Sequence, residues 1–285
     1  MFSYIKKIKY FIESVVYQYY YKYLKKLDTQ KSFKVSWDSQ YDNFGDIVTP
    51  YILENLTDTK IEKIGKSQYF PYQHYFVIGS ILDRATSHTI VWGSGFISED
   101  AKPLSLPKKI LAVRGPKTRN RFLEMGVDCP EVYGDPALLL SKIYYPKVDK
   151  KYKLGIIPHY TDKNHSWLEK ISHDEDILII DIQVKDPRIF IKELLSCEKI
   201  ASSSLHGIIT ADSYSIPSVW LEFSNKVKGK GFKFHDYFLS VNRTIEKPLF
   251  INQETMTTEI YEVFSPYTID IDLDKLLAVC PFELK

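Results

Sequence analysis

Residues 200–223 read IASSSLHGIITADSYSIPSVWLEF: an apolar run ends in three serines, a helical pattern follows, and His206 is the ionisable side chain at the junction. Ser204 stands where a helix N-cap belongs, and Leu205, Ile208 and Ile209 supply a buried helical face. His206 then falls in the first turn, beside backbone N–H groups that lack intrahelical partners and at the positive end of the helix. A phosphate or carboxylate binds in such a place, with Ser203 and Ser204 as neighbouring hydroxyls. Gly207 lets a ligand or another backbone come close. A turn histidine bonded to its neighbours fits the same spacing, so both readings stand at this point.

Other residues with chemical potential fall at similar junctions. In DNFGD, residues 42–46, Asp46 occupies a helix first turn while Asn43 and Gly45 shape the approach; a capping aspartate is the alternative. Gly93 and Ser94 follow the run TIVW but lack the spacing of a dinucleotide fingerprint. Arg114 ends ILAVRGP, where a guanidinium can grip phosphate or carboxylate or close a salt bridge. Asp135 in GDPA and His159 in IIPHY complete the set. In KVKGKGFKFHDYF, residues 226–238, Lys228, Lys230 and Lys233 surround two glycines, as an anion-gripping loop or as a solvated face.

These residues need elements to hold them. FKVSW, HYFVIGS, TIVWGSGF and KILAVRG read as buried strands, with GDIVTPYILENLT and PKTRNRFLEMG as helices between them. Pro116 opens the second helix and Gly126 closes it. YYPKVDKKYK, residues 144–153, reads as a linker, after which strands KLGIIPHY, DILIID, EKIASSS and PSVWLEF alternate with helices DPRIFIKELLSC and LHGIITADSY. The expectation is an α/β protein of two Rossmann-like doubly wound domains, residues 31–147 and 148–285, the second ending in a closing helix over DIDLDKLLAVC. Sites in such sheets lie at the carboxyl ends of strands, where the candidates cluster, so one cleft between the domains could collect them.

With 44% hydrophobic and 26% charged residues, the 285-residue chain can bury a sizeable core. A formal charge of +2 gives nucleic-acid binding no electrostatic support. Cys129, Cys197 and Cys280 have no metal-ligand spacing, so reduced thiols and no metal site are expected. In residues 1–30, Ile5, Ile8, Ile12, Val15, Val16 and Tyr19 recur at helical spacing among six lysines, with Glu13 the single acid up to Lys26. The apolar run is too interrupted for a membrane span of about 20 residues, and no signal-peptide cleavage site follows it. A basic amphipathic helix lying on an anionic leaflet and a helix packed on the domain surface are equally compatible with the pattern.

NFGD, RGP, GDPA, SSSLHG followed by A-D-x-Y-x-I-P, and G-x-G-F-K-F-x-D-Y occur in that order between about residues 35 and 240. Together they resemble the polysaccharide pyruvyl transferase family. The resemblance implies two Rossmann-like domains arranged as in GT-B glycosyltransferases. It implies transfer of pyruvate from phosphoenolpyruvate, as co-substrate and without a cofactor, onto two hydroxyls of a sugar to form a cyclic ketal. The acceptor would be a sugar or a lipid-linked oligosaccharide, and the enzyme would be cytoplasmic, with peripheral contact at the inner face of the membrane. By motif, Asp46, Arg114 and His206 match family positions implicated in activity. Many members carry Arg-Leu-His-Gly where this chain has Ser204-Leu205-His206-Gly207, so anion binding would fall to Arg114 or the lysine loop. A nucleotide-sugar glycosyltransferase, with Glu222 as the ribose clamp, and a non-catalytic carbohydrate-binding relative share the implied architecture.

Overall fold

The structure is a computed structural model and describes residues 32–38, 42–244 and 247–285, together with Val15, Val16 and Tyr19. Apart from those three exposed helical positions, the helix expected over residues 1–30 lies outside the described residues.

Two five-stranded parallel sheets form the frame. The first contains β1 (Ser32–Ser36), β2 (Lys60–Lys63), β3 (His74–Phe76), β4 (Thr89–Trp92) and β5 (Lys109–Ala112), in the order β2-β1-β3-β4-β5. Helix α1 (Phe44–Leu56) follows β1, and α2 (Pro116–Glu124) follows β5. The short α3 (Leu140–Ile143) leads toward the second sheet. There β6 (Tyr152–Ile157), β7 (Ile177–Ile179), β8 (Cys197–Ser202), β9 (Ser218–Glu222) and β10 (Leu249–Phe250) run in the order β10-β9-β8-β6-β7. Between and after these strands come α4 (Ser166–Ile171), α5 (Pro187–Leu195), α6 (Leu205–Ser213), α7 (Phe232–Ser240), α8 (Thr257–Glu262) and α9 (Leu273–Ala278).

The local causes are readable. Every residue of β3 and β4 is buried, the continuous burial expected of interior parallel strands. Pro116 sits at the first position of α2, and Gly126 follows that helix at φ +71°, where a side chain would be strained. Asp186 caps α5 by accepting from the Arg188 N–H. In both sheets the first strand of the unit lies between the second and the third, so the strand order reverses at β1/β3 and again at β6/β8. The carboxyl ends of those four strands are the two topological switch points, where α/β sheets bind ligands.

The two halves share a core. Phe44 stacks on Phe190 with centroids 4.1 Å apart, the Phe44 N–H donates to Ile182 O at 2.8 Å, and Asn43 bridges to Gln183. The closing helix departs from its expected place in the second unit: α9 packs on the first sheet. Trp92 Nε1 donates to Leu276 O at 3.0 Å, and the Phe282 ring lies against Phe33 and Tyr75. Residues 144–151 are irregular, as expected of a linker, but Tyr152 already belongs to β6.

Candidate active site

The loops at the two switch points carry the candidates. β1 leads to Asn43–Asp46, β6 to His159, and β8 to Ser203, Ser204 and His206. Ser204 has the extended backbone of an N-cap, yet its side chain makes no capping bond. Instead Ser202 Oγ donates to Ser204 O at 2.8 Å and accepts from the Ser204 N–H at 3.0 Å. Ser203 Oγ accepts from the His159 N–H at 2.8 Å, tying the loop after β6 to the one after β8. Of the two readings of Gly207, a ligand or another part of the chain coming close, the fold shows the second: a Cβ there would come within 2.4 Å of Ser202 Oγ. Its role is close packing of α6 on β8.

The His206 side chain is 12% exposed and lies where the two halves meet. Its ring covers Gly45 so closely that a Cβ at that position would stand 2.1 Å from Nδ1. Its Nε2 faces Asp135 Oδ2 at 3.5 Å, and both atoms are buried without a hydrogen-bond partner. Asp135 Oδ1 accepts from the Ala137 N–H at 3.0 Å, which holds the carboxylate in place. Gly93, at φ +99°, makes room for Pro136, the residue after Asp135: a Cβ would approach Pro136 Cδ to 2.3 Å. Ser94 is fully buried with its hydroxyl unpartnered.

Asp46, in the first turn of α1, is half-buried beside His206. Burial pushes its pKa up to about 6, assisted by Asp38 and opposed by His206, the Asn43 hydrogen bond and Arg84. Across the junction, burial lowers the Lys233 ammonium to about 8, Arg114 repels it further and Asp46 opposes the change. Among the described residues no carboxylate lies within ion-pair distance of Lys233. His159 is pushed down to about 3, first by burial and then by Lys233, so its ring is neutral and shares a hydrogen with Thr161 Oγ1 at 2.8 Å. A neutral imidazole, a carboxyl of raised pKa, a half-buried histidine and an ammonium with no carboxylate partner among the described residues therefore meet at one junction.

Arg114 is placed differently from the expected free anion ligand. Its guanidinium is fully buried: Nε donates to Asp236 Oδ2 at 3.0 Å, one terminal nitrogen to Ser80 Oγ at 2.6 Å, and the other to Phe96 O at 2.7 Å. Asp236 also accepts from the Thr118 N–H and hydroxyl at 2.8 and 2.7 Å. Arg114 is thus an anchor between α7 and the first half, its fork already filled. The lysine segment divides as well. Lys228 and Lys230 are exposed, and Lys230 lines a groove of about 730 Å³ with Lys102, Lys117 and His235. Lys233 alone of the three is near Asp46 and Arg114. Glu222 ends β9, paired in the ladder with Phe250. The described residues hold no group of three or more His, Cys, Asp or Glu arranged for a metal ion.

Sequence reasoning could not see the pairing of Gly45 with His206, because those positions meet only in the fold. Asp236 did carry a signal: a lone carboxylate inside the aromatic helix FKFHDYF needs a buried partner.

Two five-stranded parallel sheets with polar residues at their switch points define an α/β protein. The family can be stated more closely. Residues 1–225 match the polysaccharide pyruvyl transferase family, and the chain belongs to it. It is 33% identical over 204 residues to the uncharacterised protein L143 of Acanthamoeba polyphaga mimivirus, covering 68% of this chain and 69% of that protein. It is 29% identical over 211 residues to the succinoglycan biosynthesis protein ExoV of Rhizobium meliloti (strain 1021), covering 70% of this chain and 62% of that protein's length. No solved structure matches.

Proposed function

We propose that the protein transfers pyruvate from phosphoenolpyruvate to two hydroxyls of a sugar acceptor, forming a cyclic ketal in polysaccharide biosynthesis. In this reading the sheets face each other across a GT-B-like cleft, and the junction around His206 is its floor. The observation that carries the reading is the meeting of His206, Asp46 and Lys233 from opposite halves, within a chain of this family.

Lys233 and the first-turn amides of α6 hold the phosphate and carboxylate of the donor. His206 delivers a proton to C3 of the enol, leaving C2 electrophilic. One sugar hydroxyl attacks C2 and loses its proton to Asp46, whose pKa near 6 suits a base at neutral pH. The C2–O bond to phosphate breaks, inorganic phosphate departs with the proton held by Asp46, and the second hydroxyl closes the ring, its proton returning to His206. The donor and the diol are consumed, and the ketal and phosphate are produced. Asp135 holds the His206 ring from the Nε2 side.

Thermal protection by millimolar phosphoenolpyruvate, and phosphate release when a sugar diol is supplied, test the assignment. His206→Ala should lower phosphate release by roughly two to four orders of magnitude while protection by the donor persists. Protection by a nucleotide sugar with none by phosphoenolpyruvate would overturn it.

A further inference from the structure

The segment AKPLSLPKK, residues 101–109, connects β4 to β5 and presents two leucines to solvent, Leu104 at 59% and Leu106 at 50% exposure. Single exposed leucines are ordinary. These two are neighbours of one kind, held outward by a fixed backbone. Ser105 between them is pinned to the protein: its N–H donates to Ala85 O at 3.1 Å, and its Oγ accepts from the Ser87 N–H at 2.8 Å. Pro103 and Pro107 stiffen both flanks, and the Lys108 N–H is bonded to Thr89 O at 2.8 Å. The loop is therefore pre-ordered with its apolar tips out.

Exposed Lys102, Lys108 and Lys109 bracket the leucines. We propose that residues 102–109 form a docking surface for an anionic phospholipid bilayer, with Leu104 and Leu106 entering the headgroup boundary and the lysines facing the lipid phosphates. A second copy of the chain would bring like charges together across the same surface, whereas an anionic leaflet neutralises them.

The topology favours this side of the molecule. Ser105 and Lys108 are bonded near the amino ends of β4 and β5, at the edge opposite the carboxyl-terminal switch point. Docking there leaves the candidate site open. Because all five strands are parallel, Ser32 at the start of β1 lies on the same edge.

The test uses the full chain and vesicles of phosphatidylcholine with or without phosphatidylglycerol, so it is independent of the reaction. Sedimentation should require the anionic lipid and decline with salt. Leu104→Ser together with Leu106→Ser should reduce partitioning roughly tenfold or more, with the melting temperature unchanged because both positions are exposed. A Leu106→Trp variant should show a blue-shifted emission only with anionic vesicles. Unchanged partitioning of the double variant, or no blue shift, would overturn the proposal. So would a concentration-dependent dimer that the two serines abolish, since it would make a second copy the occupant.

Discussion

Replacing Asp46 by Asn should make the protein more stable and less active, for one reason. The Asp46 carboxyl is moved from 3.8 to about 6, chiefly by burial. Between about pH 4 and pH 6 the folded protein keeps a proton there that the unfolded chain has released. Stability therefore falls as pH rises through that window and is level above it. Each pH unit between the two values corresponds to about 1.4 kcal/mol, so the ceiling is about 3 kcal/mol. Partial exposure of the side chain reduces the expected gain to about 1–2 kcal/mol. Asparagine cannot ionise and keeps an oxygen able to accept from Asn43, so it escapes the cost. Denaturant unfolding should show the variant more stable than wild type at pH 8 and only about a third as much more stable at pH 4.5, while turnover drops by roughly two to four orders of magnitude. A gap independent of pH, or a variant less stable at pH 8, would refute the electrostatic account.

Lys233→Met should raise the KM for phosphoenolpyruvate more than tenfold if the lysine holds the anion. In the wild type, kcat/KM should rise through about pH 6 as Asp46 loses its proton and fall through about pH 8 as Lys233 loses its own, and the alkaline limb should vanish in the methionine variant. Arg114→Ala should destabilise the fold by about 3–5 kcal/mol in denaturant unfolding, because it leaves Asp236 buried without its cation. Arg114→Ala with Asp236→Ala should recover part of that loss, and full stability of the single variant would remove the anchor role.

The legible parts of the fold were those with a local cause. β3 and β4 are buried on both faces, so their residues form an unbroken apolar run whatever their neighbours. The charged edge strand Lys60–Lys63 and the two-residue β10 carry no such pattern, and α4 and α8 are six residues each, too short for helical periodicity to show. The site was legible as a set of strand ends but not as a division of labour. Arg114 and Lys233 both sit beside glycines in basic stretches, and nothing local tells which cation is already paired. Gly45, Gly93 and Gly207 all looked like places for a ligand. In the fold their missing side chains are occupied by His206, Pro136 and Ser202, so each serves a contact made across the chain.

The buried pair and the free ammonium are parts of one device. Asp236 and Lys233 lie three residues apart on α7, so the bond that ties Asp236 to Arg114 also fixes the helix face that carries Lys233. Burial first, and then the positive charge of Arg114, lowers the Lys233 pKa to about 8, while Asp46 from the other switch point pulls it back. A cation at this place both positions the lysine and loosens its proton. The same logic runs through the second contact. His206 can reach Asp135 only by lying over residue 45, and that residue can only be glycine, since any Cβ would stand 2.1 Å from the ring. The geometry of the candidate site is set by contacts between the halves, so any change in how the sheets dock is felt first by His206 and Lys233.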